Sequence, residues 1–395
     1  MRILMLSWEY PPRIIGGISR HVYELCDALV RKGVTVDVVT CDHPGAPPQE
    51  KINGVMVHRV LVEGDSSDFV AWVRRLNDAT EAKADELLAS RETGDFIIHG
   101  HDWLAEFAAR GLKHKHKLPI VATIHATEYG RNYGIHTDLH RYISHVEWEL
   151  AHEAWRVICC SHYMKDEIHR ILGAPLDKID VIPNGVDAGK FNIEFDKQAF
   201  RRTYAGDDEK LVFFVGRMVH EKGAGVLIEA MAGIARSGFA AKLLIVGGGD
   251  RTALRDLAAE VGVSDRVCFT GYVDDDTLLK LYNVVDVAVF PSLYEPFGIV
   301  ALEAMAAKVP VVTSDVGGLR EVVDHGITGI STWAGNPESL AWGIMQILGN
   351  PNAARAMAET AYMKTLNAFS WSRIADQTIA VYNRVADEAS RAEWA

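Results

Sequence analysis

The stretch PSLYEPFGIVALEAM, residues 291–305, places one acid on a turn and a second acid inside an apolar run. Glu295 precedes a Pro-Phe-Gly turn, and Glu303 follows it by eight residues in a segment that predicts a helix starting near Gly298. The first N–H groups of a helix lack partners within it and can face an anionic or sugar oxygen. Glu303 can accept bonds from two vicinal hydroxyls, as on a ribose. The same spacing also fits a helix-terminal acid and a surface glutamate, so the surrounding chain must decide.

Outward from this stretch, apolar strands alternate with amphipathic helices in both halves of the chain. Strands such as RILMLSW, VTVDVVTC, LVFFVGRM and AKLLIVGGG are apolar throughout, which is typical of parallel sheets covered on both faces. The polar segment 188–208 carries no strand pattern. We therefore predict an α/β protein with an N-terminal domain over 1–187, a junction over 188–208, a second domain over 209–368 and a C-terminal helix over 369–395. Two such doubly wound domains predict a cleft lined by strand ends.

Composition narrows the class of protein. The chain has 395 residues, 48% of them hydrophobic, and a net charge of −12, which argues against nucleic acid as a partner. Its five cysteines form no CxxC pair, which favours a reducing compartment. The apolar opening ends at Glu9 and is too short for a signal peptide. No apolar run reaches the roughly 18 residues of a membrane span, so we expect a cytoplasmic protein without integral membrane contact.

Three further motifs lie at predicted strand ends. Gly16 and Gly17 open a helix after the first strand, where the backbone can approach an anion or simply turn. Arg217 and Lys222, in VGRMVHEKG, can hold a diphosphate from two sides or be two solvated cations. His125, in ATIHATEY, ends an apolar strand, and such a histidine is either a ligand-binding group or part of the core.

Other patterns are read as structural. Asp274, Asp275 and Asp276 precede a helix, so we expect N-capping rather than a metal site. His99 and His101 share a strand end without an evident third ligand, and no HExxH occurs, so we expect no zinc. The glycines of GGGD, at 247–250, predict a close-approach turn without the P-loop lysine. A GxGxxG fingerprint is missing, which disfavours a dehydrogenase.

Together these segments resemble the retaining glycosyltransferases of family 4, which have the GT-B fold of two Rossmann-like domains facing a cleft. The resemblance covers nearly the whole chain and rests on SWEYPPRIIGG, GHDWLA, IPNGVD, VGRMVHEKG and EPFGIVALEAM. In that family the opening stretch is the E-x7-E motif, and the last helix returns to the N-terminal domain.

The resemblance implies a role for each matching residue. His125, Glu295, Arg217 and Lys222 would act at the donor sugar and its diphosphate, with Glu295 stabilising charge rather than serving as an established nucleophile. Asn184 and Gly185 would lie at the domain junction. The predicted donor-binding set is Gly16, Gly17, Arg217, Lys222, Tyr272, Phe297, Gly298, Ile299 and Glu303. The implied reaction uses no metal and no cofactor beyond its nucleotide-sugar substrate, because the cations and helix N-termini stabilise the departing diphosphate.

Within the family, SWEYPP, HDW and EPFG look closest to glycogen and starch synthases. Those enzymes often carry a lysine two residues before the first loop glycine, where this chain has Ile14. Arg13 is adjacent and is expected to point elsewhere. The implied reaction is transfer of glucose from ADP-glucose or UDP-glucose to a glucan or small-sugar acceptor. Two alternatives stay open: transfer to a sugar phosphate, small metabolite or lipid, and epimerisation of a nucleotide sugar without transfer. A nucleotide-sugar-binding protein without turnover is a further class.

Membrane-glycolipid members of this family usually carry a basic amphipathic patch on the N-terminal domain. The helix predicted from Asp68 to Ser90 mixes both signs of charge and lacks such a patch. This pattern favours a glucan or small-sugar acceptor. The sequence leaves the oligomeric state and the donor base open.

Overall fold

The computed structural model describes residues 1–89 and 96–392. The chain divides into two units, which we describe separately. The N-terminal unit holds Met1–Gly185 and the chain from Trp371 onward, and the C-terminal unit holds Val186–Ser370. The segment 188–208, interpreted above as a junction, lies inside the C-terminal unit, where it forms short helices that include α7, Lys197–Arg201.

The N-terminal unit is built on an eight-stranded sheet. Its strand order is β3-β4-β2-β1-β5-β6-β7-β8, and all neighbours pair in parallel except the antiparallel β3 and β4. The strands are β1 Arg2–Leu6, β2 Thr35–Cys41, β3 Gln49–Ile52, β4 Val55–Val60, β5 Phe96–His101, β6 Ile120–Ile124, β7 Arg156–Cys159 and β8 Ile179–Val181. The central strands are buried along their length, as their continuous apolar sequences predict.

Helices cover this sheet and include the end of the chain. They are α1 Gly17–Arg31, α2 Phe69–Ala89, α3 Glu106–His116, α4 Glu128–Arg131, α5 Asp138–Glu153, α6 His162–Leu172 and α15 Trp371–Arg391. Ser161 caps α6 by accepting a bond from the Met164 N–H, and Gly173 ends it in a left-handed conformation. Ser90, at the end of the predicted long helix, and residues 393–395 of the predicted tail lie outside the described residues.

The C-terminal unit carries a six-stranded, fully parallel sheet in the order β11-β10-β9-β12-β13-β14. Its strands are β9 Lys210–Val215, β10 Ala241–Val246, β11 Val267–Gly271, β12 Val287–Phe290, β13 Val311–Ser314 and β14 Ile330–Thr332. Its helices after α7 are α8 Ala224–Arg236, α9 Thr252–Glu260, α10 Asp275–Tyr282, α11 Ile299–Ala306, α12 Leu319–Val322, α13 Pro337–Gly349 and α14 Pro351–Ala368. Asp274 caps α10 through the Thr277 N–H, as predicted.

The prediction of two Rossmann-like parallel-sheet domains is confirmed. In each sheet the strand order reverses at one point, between β1 and β5 in the first sheet and between β9 and β12 in the second. Helices leaving the two neighbouring strands cross to opposite faces there, and ligands of such sheets bind in the crevice beyond the carboxyl ends of the strands. The predicted site motifs follow β1, β5, β9 and β12, together with β6 next to β5.

The last helix completes the core of the N-terminal unit. Tyr382, on α15, is fully buried in the cluster that contains Ile3, Val22 and Leu25. Its hydroxyl lies 2.6 Å from Nδ1 of His99, on β5. The amphipathic pattern of α15 is therefore satisfied by packing against α1 and the sheet. Among the described helices, none is both long and apolar enough to cross a membrane.

We expect Tyr382→Ala to lower the free energy of unfolding by about 3–5 kcal/mol, because the variant leaves a cavity under α15. Tyr382→Phe keeps the ring but leaves His99 Nδ1 without its hydrogen-bond partner, and this variant should lower the free energy of unfolding by about 1–3 kcal/mol. Urea unfolding monitored by circular dichroism measures both losses. Glu388→Ala, at an exposed position of the same helix, is the control. An alanine variant as stable as this control would contradict the anchoring role of Tyr382.

Candidate active site

Two loops meet at the strand-order reversal of the C-terminal sheet. One follows β9 and ends in a short helical turn, His220–Lys222, and the other links β12 to α11. The Glu221 carbonyl accepts a bond from the Leu293 N–H at 2.8 Å and so joins them. Gly223 has a φ of +70°, and a Cβ there would lie 2.0 Å from the Pro291 carbonyl oxygen. Only glycine permits this approach.

The joined loops carry a partly buried ion pair. Lys222 Nζ lies 2.7 Å from Glu295 Oε2, and Ser292 Oγ lies 3.2 Å from the same oxygen. The Glu295 side chain is only 10% exposed and that of Lys222 24% exposed. Removing either partner would leave a charge in a poorly solvated position. The predicted acid of the turn and the predicted diphosphate cation are thus direct neighbours.

Glu303 occupies the first turns of α11. Gly298, which has a φ of +104°, precedes that helix. The Tyr282 hydroxyl lies 3.0 Å from Glu303 Oε2 and fixes the carboxylate. Phe297 is buried against Phe369, with ring centroids 5.9 Å apart. The backbone N–H groups of Phe297, Gly298 and Ile299, at the start of α11, lie between Glu295 and Glu303 in sequence. N–H groups in the first turn of a helix have no acceptor within that helix.

Arg217 and Tyr272 lie at the margin of this arrangement. Arg217 is 56% exposed, and its Nη2 lies 3.5 Å from Glu221 Oε1. Tyr272 follows β11, two strands away from β9, and is 72% exposed. The structure therefore brings Arg217 beside Lys222 in the same loop but leaves Tyr272 apart from the ion pair. The predicted close approach of the glycine turn is confirmed, because the Gly248 carbonyl accepts a bond from the Met218 N–H at 2.9 Å.

Three histidines converge at the carboxyl ends of the N-terminal sheet. Nδ1 of His101 lies 3.0 Å from Nε2 of His125, and the ring centroids of His21 and His125 are 4.8 Å apart. His21, on α1, holds Nδ1 2.6 Å from Oδ1 of Asn184. His101 places its other nitrogen 3.0 Å from the Met5 sulfur, which can only accept, so His101 carries its proton on Nε2.

Burial keeps these rings neutral. Loss of hydration lowers the pKa of His21 and of His125 to about 3, and it lowers the pKa of His101 well below its ordinary value. The same effect raises the pKa of Asp102 to about 6, against the charge of Arg131 and the His125 N–H, which donates to Asp102 Oδ1 at 2.7 Å. His125 is thus held at its backbone by Asp102 and at its ring by His101.

The histidines that the structure brings together differ from His99 and His101, the pair considered in the sequence analysis. The ligand nitrogens of His21, His101 and His125 lie within 4.8 Å of one another and could hold a metal ion. His99 instead bonds the Tyr382 hydroxyl and Thr123 Oγ1, at 2.6 and 2.7 Å, and belongs to the core. The third ring escaped the sequence reasoning because His21 comes from a helix, about 80 residues before its neighbours. A metal would have to replace the existing bond between His101 and His125.

The glycine loop after β1 is shaped by a buried acid. Glu9 is 1% exposed, and its Oε2 accepts bonds from the N–H groups of Ile15 and Gly16 at 2.7 and 2.9 Å. Burial raises its pKa. Gly17 then begins α1. The acid escaped the sequence reasoning, although an isolated glutamate seven residues before the first glycine was a visible signal.

The two side chains that precede the glycine loop, Arg13 and Ile14, do not present a positive charge at the loop. The guanidinium of Arg13 lies over the rings of Trp8 and Trp72, 5.7 and 5.5 Å from their centroids. The prediction that Arg13 points elsewhere is therefore confirmed. Ile14, at the position where glycogen synthases often have lysine, is 36% exposed. The loop thus presents an apolar side chain at this position.

Comparison with known proteins shows the family of the chain. Residues 15–190 match the family profile "Glycosyltransferase Family 4", and residues 196–364 match "Glycosyl transferases group 1". An uncharacterized glycosyltransferase of Methanocaldococcus jannaschii is 42% identical over 97% of this chain and 98% of its own. Glycogen synthase of Mycobacterium tuberculosis is 37% identical over 97% and 94%. The solved sucrose-phosphate synthase of Thermosynechococcus elongatus superposes with a TM-score of 0.84 at 26% identity, covering 98% of this chain and 99% of its own.

We expect the buried histidines to lower the stability of the N-terminal unit as the pH falls below about 6.5. Buried His21, His99 and His125 have lowered pKa values of about 3, whereas unfolded histidines titrate near 6.5. The unfolded state then binds more protons, so each ring costs about 1.4 kcal/mol of unfolding free energy per pH unit. Loss of hydration raises the pKa of four buried acids of the same unit, which act in the opposite direction as the pH falls: Glu9, Asp102, Glu106 and Glu147.

Urea unfolding at pH 7, 6 and 5 measures this slope. His99→Gln removes one such ring and should reduce the slope, whereas His145→Gln, at a side chain 63% exposed, should leave it unchanged. A His99→Gln variant whose stability changes with pH as steeply as that of His145→Gln would contradict the neutral, buried state of the His99 ring.

Proposed function

The chain belongs to the glycosyltransferases of family 4, and we propose that it transfers glucose from ADP-glucose or UDP-glucose to a glucan or small-sugar acceptor, with retention, as in glycogen synthases. The observation that carries the proposal is the Lys222–Glu295 pair at the strand-order reversal, with Glu303 on the adjoining helix. The 37% identity with a glycogen synthase over nearly the full length supports the choice of acceptor.

The donor would be held through its leaving group. Lys222 and Arg217 offer a point charge and a planar fork to the diphosphate, and the N–H groups of Phe297, Gly298 and Ile299 add donors. Glu303, held by Tyr282, would accept bonds from the ribose hydroxyls. We also propose that Tyr272 contacts the nucleotide, that Gly16 and Gly17 border the diphosphate, and that the site needs no metal because these cations and N–H groups stabilise the departing charge.

His125 would contact the donor sugar. Its ring stays neutral at physiological pH, and because its Nε2–H donates to Nδ1 of His101, its Nδ1 can accept a bond from a sugar hydroxyl without bringing a positive charge to the developing oxocarbenium ion. The bonds to Asp102 and His101 fix its position before the sugar binds. Preorganised groups of this kind act on the transition state without a reorganisation cost.

A second candidate is transfer to a sugar phosphate, small metabolite or lipid. The observation that favours it is Ile14, since the glycine loop lacks the lysine common in glycogen synthases and Arg13 packs on tryptophan rings. Epimerisation of the donor without transfer is a further possible activity of this architecture.

The test is nucleotide release from ADP-glucose and UDP-glucose, each with glycogen, with maltose and without acceptor, in buffer containing EDTA. We expect glycogen to stimulate release and the polymer to grow. Release that is indifferent to glucan would move the acceptor to the second candidate. Conversion of the donor sugar without acceptor, followed by NMR, would establish epimerisation. Activity that EDTA abolishes and added cations restore would overturn metal independence.

We expect Lys222→Ala to lower kcat for nucleotide release about 100-fold or more, because one charge on the departing diphosphate is lost. Lys210→Ala is the matched control, since it removes the same charge from the opposite end of β9, where Lys210 is 42% exposed. Steady-state kinetics with both variants, after thermal unfolding shows that each is folded, measures the effect. A folded Lys222→Ala variant with near-wild-type turnover would refute the assigned role.

A further inference from the structure

Two exposed tryptophans line one surface cavity of the C-terminal unit. Trp333 follows β14 and is 74% exposed, and Trp342, on α13, is 45% exposed. Both border a cavity of about 530 Å³, within the range of about 300–1,000 Å³ typical of small-ligand sites. Large apolar side chains in this position contribute little to the core, and an exposed apolar cluster with a polar rim marks a binding surface.

Local hydrogen bonds order the cavity wall. The backbone N–H of Trp333 donates to Ser339 Oγ at 3.0 Å, and the backbone N–H of Ser339 donates to Asn336 Oδ1 at 2.8 Å. His325 accepts the Ser331 N–H on Nδ1 at 3.0 Å, so its neutral ring carries the proton on Nε2. The loop that presents Trp333 is therefore tied to the start of α13, which also presents Trp342.

We propose that this cavity is a second carbohydrate site, which binds an α-linked glucose oligomer and holds a glucan to the enzyme. The C–H groups on the face of a pyranose ring are apolar and slightly positive, and they complement the negative face of an indole. The Nε2–H of His325, the amide of Asn336 and the carboxylate of Glu338 supply donors and acceptors for hydroxyl groups. Aromatic faces beside neutral and acidic hydrogen-bonding groups are what such a sugar requires.

The charge of the wall argues against a phosphorylated ligand. No lysine or arginine is among the residues that border the cavity in the described part of the chain, and Glu338 is among them. A nucleotide, sugar phosphate or anionic lipid would meet an acid there without a compensating cation. A neutral oligosaccharide has no such penalty.

The position of the cavity relates it to the proposed chemistry. Trp333 follows β14 at the carboxyl end of the parallel sheet, the same edge at which Lys222 follows β9. A Cβ placed on Gly335 would lie 3.6 Å from the side chain of Leu293, two residues before Glu295. The loop after β14 is thus a neighbour of the loop that carries Glu295, so a glucan held at Trp333 would lie at the same sheet edge as the proposed donor site. The inference rests on the proposed function, because a second glucan site would raise the affinity for substrate only in an enzyme that acts on glucans.

The test uses the full-length enzyme with Trp333→Ala and Trp342→Ala, and Trp148→Ala as the matched control. Trp148 is 43% exposed on α5, far from the cavity in sequence, and stacks with His145 and His152. Electrophoresis in gels containing glycogen measures binding without turnover, and kinetics with glycogen and maltose measure transfer. Thermal unfolding and size-exclusion chromatography check the fold and the oligomeric state.

We expect wild type and Trp148→Ala to be retarded by glycogen, and each cavity variant to bind it about tenfold more weakly. The KM for glycogen should rise to the same extent, with kcat on saturating maltose unchanged. Equal retardation of wild type and both cavity variants, or no retardation of wild type, would overturn the inference. A cavity variant that changes its oligomeric state but not its glycogen affinity would assign the surface to a second copy of the chain instead.

The two proposals fail in distinguishable ways. Retardation that depends on the tryptophans, without glucan-stimulated nucleotide release, would keep the carbohydrate site and refute glucan as the acceptor. Glucan-stimulated release with unaltered cavity variants would keep the proposed function and refute the site.

Discussion

The parallel pairing of β9 with β12 is the constraint on which the candidate donor site depends. The two strands are about 70 residues apart in sequence, yet they are neighbours at the point where the strand order reverses. Their carboxyl-end loops therefore leave the sheet side by side. The Glu221 carbonyl and Gly223 lock these loops together, which places Lys222 within 2.7 Å of Glu295. Without this pairing the cation and the acid would belong to separate surface loops.

In the N-terminal unit the clustered polar groups also lie beside a strand-order reversal, but the histidines among them are neutral. Its reversal lies between β1 and β5, and the glycine loop after β1 is fixed by the buried Glu9, whereas β5 ends at His101. Here the dominant electrostatic effect is desolvation, which lowers the pKa of the clustered histidines and raises that of Asp102. The first sheet edge thus presents histidine rings that stay neutral, and the other sheet presents a paired cation and anion.

Much of the fold could be predicted from the sequence because fully buried parallel strands have continuous apolar segments, as LVFFV and ILML do. The antiparallel β3, QEKI, could not, since an edge strand that alternates half-buried and exposed residues has no apolar run. The E-x7-E stretch and VGRMVHEKG could be read locally because each motif sits in one loop. The His21–Asn184 contact could not, since its two residues are 163 positions apart and the segment around each gives no sign of the other.

The environment of Glu295 bears on its proposed chemical role. Its Oε2 is already shared by the Lys222 ammonium and the Ser292 hydroxyl, and the side chain is 10% exposed. A carboxylate with its charge neutralised in this way is a weak nucleophile, because attack would require it to give up both partners. It can still stabilise positive charge that develops nearby, since the field of an ion pair is directional and poorly screened in a partly buried site. Under the proposed function a bound diphosphate would compete with Glu295 for the Lys222 ammonium, so the negative charge that Glu295 offers would depend on the bound donor. We therefore propose that Glu295 stabilises positive charge on the donor sugar, and that this role depends on occupancy of the donor site.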